Sequence, residues 1–187
     1  MLSQQPAADA LLDQDPLALV IGMVLDQQIP LEKAFSSPYV LTERLGHVPD
    51  AAEIAGMAEE SLVAIFATPP ALHRFPGSMA KRVQAMCALV VDRYDGDVAN
   101  VWTGAADGKD LLKRVSALPG FGKQKAQIFV ALLGKQCGVD VPGWRAAAGE
   151  FGPADTYKSV ADIRDAESLA KVRDYKKQLK AAAKAQA

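Results

Sequence analysis

Cysteine occurs only twice in 187 residues, as Cys87 and Cys137. That excludes a disulfide framework and leaves too few thiolates for a structural zinc site. Long apolar runs are missing as well: the longest, residues 17–25, is far short of the roughly 20 residues a membrane span needs. The first fifteen residues carry three acids and no base, which is not the start of a signal peptide. Aromatics make up 6% of the chain, and no stretch alternates polar and apolar residues with period two, so β structure is not expected. What is plentiful is hydrophobic material, at 50%, with 23% charged residues, enough for a packed core and no sign of disorder. A soluble, cytosolic, all-α protein is the expectation.

The net charge of −1 conceals a polarity. Residues 1–60 hold ten acids and two bases, whereas residues 61–135 hold ten bases and five acids. A chain of this kind presents either one basic face or charge scattered over solvated helices. From Lys171 onward come six bases and one acid in a stretch of high helix propensity, which reads as a solvated terminal helix or a contact to a polyanion.

Punctuation sets out the elements. Asp15-Pro16 is a helix start, with Asp as the cap and Pro in the first turn, and the helix that follows is apolar on nearly every side. It stops before Pro30. A second helix is expected over 31–45, broken or restarted near Pro38. Shorter helices follow at 51–57 and 59–67. The Pro- and Gly-rich stretch 68–78 is a crossing between subdomains, after which Ser78 is expected to cap a long helix ending at the Asp95-Gly96 turn. In that helix Val83, Met86, Cys87, Val90, Val91 and Tyr94 form a core-facing stripe, so Cys87 reads as a buried small hydrophobe rather than a reactive thiol. Trp102 and Trp144 read as packing anchors.

The most informative segment is LPGFGKQKAQ, residues 118–127, lying between two amphipathic helices that together span 111–134. Two glycines permit a tight hairpin whose backbone a ligand approaches closely. Free N–H groups at the hairpin and at the start of the second helix form an anion site, with Lys123 and Lys125 beside it. A phosphodiester held by backbone, without regard to base sequence, is the natural guest.

LPGFGKQKAQIF resembles the hairpin of the helix-hairpin-helix (HhH-GPD) DNA glycosylase superfamily, in the form found in actinobacterial-type base-excision repair proteins. The likeness extends to GSMAKRVQAMCALVVDRYDGDV from Gly77 and to LVIGMVLDQQIP from Leu19, and covers about residues 17–148. It implies one domain over 1–187, with subdomains at 1–30 plus 136–187 and at 31–135 flanking a DNA cleft, and a damaged base flipped into it from double-stranded DNA. Gly120, Phe121, Gly122, Lys123, Gln124 and Lys125 would contact DNA on one lip. Gln27 and Gln28 on the other would insert where the base has left, the alternative for them being a surface turn. By the same likeness, the carbonyls of Ser116, Leu118 and Phe121 would hold a monovalent cation. The protein would work as a monomer at the nucleoid.

Departures from the family pattern shape the expected chemistry. Gln124 stands where bifunctional members carry the Schiff-base lysine, and Lys123 and Lys125 point about 100° to either side of it on a helix. A lysine-type lyase is therefore not expected. The family's essential aspartate maps to Asp140, two or three residues closer to the hairpin than usual and followed by Pro142, so it is either the catalytic carboxylate or a loop acid. The family's four-cysteine cluster is missing, so no iron–sulfur cofactor is expected. Asp26 is an odd charge for a DNA-facing edge and would bond a base or act as an acid. His73 and Arg74 would line the cleft or a solvated loop, and Phe35 and Tyr39 are candidate stacking residues. A monofunctional N-glycosylase is the leading expectation. The alternatives are a non-catalytic DNA-structure binder and a protein scaffold with a vestigial hairpin.

Overall fold

The computed structural model describes residues 2–185, which contain eleven α-helices, two 3₁₀ turns and no strand. The helices are α1 (Pro6–Gln14), α2 (Pro16–Leu25), α3 (Leu31–Leu45), α4 (Ala51–Gly56), α5 (Glu59–Ala67), α6 (Pro76–Arg93), α7 (Asn100–Thr103), α8 (Gly108–Ser116), α9 (Lys123–Gln136), α10 (Trp144–Ala147) and α11 (Ala166–Ala185). The 3₁₀ turns are Gly149–Phe151 and Val160–Asp162.

Aspartate side chains cap three of the helices, the one at Asp15 where the sequence placed it. The Asp15 carboxylate accepts from the N–H groups of Leu17 (2.8 Å) and Ala18 (3.2 Å), and Asp50 and Asp107 do the same for α4 and α8. Ser78 is not a cap: α6 opens two residues earlier at Pro76, whose missing N–H costs nothing in a first turn. Nor does Pro38 break α3. The helix runs through it because Ala34 to Pro38 are all buried against neighbouring elements, and that packing outweighs the one backbone bond that proline removes, to the Ala34 carbonyl.

α2 is the spine, with every residue from Leu17 to Leu25 buried. Burial of each large aliphatic side chain stabilises by about 1.5–3 kcal/mol. Tertiary packing therefore holds this helix in place. The helices in closest mutual contact fall into two groups, α1–α6 and α7–α11, divided at the Asp95-Gly96 turn. α2 packs on α3 and α6. One continuous hydrophobic core joins the groups. A buried ion pair fixes the C-terminal segment onto α9: Lys135 Nζ lies 2.6 Å from Asp162 Oδ1, each side chain only 2% exposed. Asp162 also accepts from the N–H groups of Lys158 and Ser159.

Candidate nucleic-acid interface

The hairpin between α8 and α9 is closed by Leu118 N–H on the Val115 carbonyl and Phe121 N–H on the Leu118 carbonyl. Gly120 takes φ +95°, and a Cβ there would lie 3.0 Å from Arg82 Cδ and 3.3 Å from Val24 Cγ1. This glycine lets the hairpin seat against α2 and α6. Gly122 is different: its φ is −75° and a Cβ would meet nothing within 4 Å. Gly122, Lys123 and Gln124 are exposed, and their N–H groups make no backbone hydrogen bond among the described residues. They form an outward-facing cradle at the positive end of a 14-residue helix. The Phe121 ring takes no part in it, being buried 5.5 Å from the Phe129 ring. In the same hairpin no backbone N–H among the described residues reaches the carbonyls of Ser116 and Phe121, while that of Leu118 accepts from the Phe121 N–H.

Lys125, expected beside the phosphate, points the other way. Its ammonium donates to the Met23 carbonyl (2.7 Å) and to the Val24 carbonyl (3.3 Å), and so tethers α9 to the C-terminal end of α2. Burial pushes this lysine below its ordinary range, with Asp26 acting in the opposite direction.

That tether brings the glutamine turn beside the hairpin. Asp26 (φ −71°, ψ 70°) is the centre of an inverse γ-turn closed by Gln27 N–H on the Leu25 carbonyl, 2.7 Å. Gln27 is fully engaged: Nε2 donates to the Val24 carbonyl, Oε1 accepts from Arg82 Nη1, and its carbonyl faces His73 Nε2 at 2.8 Å. His73 Nδ1 accepts from Phe75 N–H, so Nε2 carries the proton and the ring is neutral. Burial holds His73 below the ordinary histidine range. Gln28, exposed and at φ +56°, is the free member of the pair.

Asp26 itself is half-buried, with no hydrogen bond to its carboxylate among the described residues. Burial raises its pKa, and Lys176 of α11 and Lys125 oppose that rise. α11 reaches this edge through an Arg173–Glu32 ion pair.

The structure also separates residues the sequence grouped together. α9 is roughly 20 Å long, and Asp140 lies four residues past its far end, exposed. The Gly108 N–H bonds the Pro142 carbonyl (2.8 Å), holding that segment at the start of α8, the end remote from the hairpin. Asp140 is thus not brought to the cradle. Phe35 is buried in the core and Tyr39 is half-buried, so neither is a free stacking plate. Phe75 was not foreseen: it is 43% exposed, two residues after His73, with the Arg74 guanidinium 5.0 Å from its ring centroid. An aromatic next to Arg in a loop was the available signal. A cavity of about 730 Å³ opens near the far end of α9, between Leu12, Leu19, Trp102 and Arg164, and contains none of these residues.

Two helices joined by a glycine hairpin with outward N–H groups, braced against a glutamine turn, define a helix-hairpin-helix nucleic-acid protein. A model of the HhH-GPD superfamily of base excision DNA repair proteins matches residues 21–186, and the chain belongs to that family. No curated protein and no solved structure matches it. No helix among the described residues is long and apolar enough to cross a membrane.

Proposed function

We propose that this base excision repair protein is a monofunctional DNA N-glycosylase, which flips a damaged base out of double-stranded DNA and hydrolyses its glycosidic bond. The observation that carries the reading is the bracing of the Gln28 turn against the phosphate cradle through Lys125, Arg82 and Gly120. A duplex held by its backbone at Gly122, Lys123 and Gln124 would have Gln28 beside it, able to fill the gap left by an everted nucleotide, with Phe75 at the neighbouring edge. A monovalent cation held by the Ser116, Leu118 and Phe121 carbonyls would add positive charge toward the same phosphate.

Hydrolysis without lyase chemistry is supported by Gln124 at the Schiff-base position and by Lys125, whose ammonium is already bonded to two carbonyls. The test is a panel of lesion-bearing duplexes, treated with alkali to reveal abasic sites and, in parallel, with borohydride. Excision that needs alkali for strand cleavage, with no trapped adduct, is the expected result. A trapped adduct abolished by Lys125→Ala would make the protein a lyase. The remoteness of Asp140 favours one other reading, a non-catalytic DNA-structure binder, and absence of excision across the whole panel would establish it.

A further inference from the structure

We propose that Asp26 is the catalytic carboxylate of this site, facing the sugar of the everted nucleotide. The inference rests on the glycosylase reading and assigns to the residue that ends α2 the role that the family resemblance gives to Asp140.

The first argument is position. Asp26 lies between the two DNA-facing features, immediately before Gln27 and Gln28 and three residues past Met23, whose carbonyl holds Lys125 of the hairpin helix. The charged groups around it come from three elements: Lys125 on α9, Lys176 on α11 and Glu32 on α3, with Arg82 of α6 next to Lys125. The second argument is that Asp26 has no structural task. It sits at the C-terminal, negative end of a helix dipole, where a carboxylate is unfavourable. It is half-buried, and no donor among the described residues bonds its oxygens. None of its oxygens is both fully enclosed and unpartnered, so the carboxylate is open to a guest. A half-buried carboxylate that is costly to charge, bonded by no donor and still reachable by a guest beside a phosphate cradle is what a developing cation requires.

In the reaction the C1′–N bond breaks and its electron pair leaves with the base. The sugar becomes cationic next to Asp26. Water bonds to C1′ through oxygen and gives one proton to the Asp26 carboxylate, while the departing base takes up a proton from solvent and Asp26 returns its own. Water is thereby divided between sugar and base.

The experiment does not require the lesion to be known. Affinity is measured for two duplexes of one sequence, one carrying a cationic pyrrolidine abasic analogue and the other a neutral tetrahydrofuran analogue. Wild type is expected to prefer the cation by about tenfold or more, as a transition-state mimic should be preferred. Asp26→Asn should erase that preference, Asp26→Glu should keep part of it, and Asp140→Asn should leave it intact. Asp26→Asn should also melt no lower than wild type, since it removes an unfavourable charge. The preference should appear only as pH rises through the raised Asp26 pKa, and Lys176→Ala should move that threshold higher. On an excised lesion, Asp26→Asn should slow the single-turnover step by about a hundredfold or more with unchanged affinity.

No preference in wild type, a preference kept by Asp26→Asn, or one lost in Asp140→Asn would overturn the assignment. So would a lower melting temperature accompanied by equal loss of affinity for both duplexes. Excision that proceeds normally in Asp26→Asn sinks this inference alone. A preference carried by Asp26 in a protein that excises nothing sinks the glycosylase reading alone.

Discussion

Gly120 and Gly122 are two residues apart in one hairpin, and replacing each with Ala should have opposite consequences. At Gly120 the backbone is left-handed, φ +95°, where a Cβ costs about 1–2 kcal/mol before any contact is considered. The new methyl would also press on Arg82 and Val24 at 3.0 and 3.3 Å, inside ordinary contact distance. Gly120→Ala should therefore destabilise the fold by at least that amount. At Gly122 the conformation suits any residue and the Cβ meets open space. Losing glycine there restricts the unfolded chain, worth about 0.4–1 kcal/mol. Alanine is also a poorer N-cap than glycine, and this offsets much of that gain. Stability should stay within about 0.5 kcal/mol of wild type. On DNA, however, the methyl stands where a phosphate would approach the N–H groups. Loss of one such contact should weaken duplex binding about tenfold, near 1.4 kcal/mol. Denaturant melts and fluorescence anisotropy on one duplex at several salt concentrations separate the two effects. If Gly122→Ala binds like wild type while Lys123→Ala leaves the salt slope unchanged instead of lowering it by about 0.9, the hairpin is not the phosphate cradle.

Two further outcomes follow from buried groups. Lys135→Met strands the Asp162 carboxylate in an enclosure where both partners are 2% exposed, and should cost about 3–5 kcal/mol in a denaturant melt; a loss below about 1 would mean water reaches the pair. His73 is held neutral by burial and by the Phe75 N–H on Nδ1, so its pKa lies below the unfolded value and its contribution to stability is complete above that value. As pH falls through the lowered pKa, protonation of Nδ1 should break the Phe75 bond and loosen the glutamine turn. Imidazole resonances that titrate at or above the ordinary histidine range would refute this.

What the sequence made legible was whatever depends on few neighbouring residues. The hairpin could be read because Gly120 answers a local backbone demand, and Asp15 because a cap acts within three residues. The 100° step of a helix set Lys125 apart from Gln124, but neither its direction nor its target could be read, since the α2 carbonyls that draw it away from the expected phosphate are brought to it only by folding. Asp140 shows the limit of counting residues. The segment after Gln124 is two or three residues shorter than the family spacing, a shortfall of about 7–10 Å of extended chain. α9 runs on to Gln136, and only a short turn remains before Gly108 captures Pro142, so the chain has no length in which to return to the hairpin. Pro38 and Ser78 misled for a related reason: burial of α3 and an earlier proline start for α6 outweighed local propensity.

The glutamine turn joins these points. Gln28 holds a left-handed backbone that a non-glycine residue adopts only at a cost of about 1–3 kcal/mol when its surroundings impose it. Those surroundings come from three directions: Lys125 from the hairpin helix, Arg82 from α6 and His73 from the crossing loop. Each hydrogen bond contributes about 0.5–1.5 kcal/mol, so the set is of the size needed to offset the strain. All three act on residues 23–27 and leave Gln28 itself unbonded among the described residues. A turn that served only to connect α2 to α3 would need no such brace. Rigid flanks around one exposed polar side chain place the ordering cost in folding rather than in binding, which is how a site is preorganised for a ligand. The same bonds fix Asp26, at the centre of the γ-turn, between the braced carbonyls and Gln27. On the proposed reading, the inserting residue and the catalytic carboxylate would be set by one backbone geometry, and a duplex seated on the hairpin would meet both together.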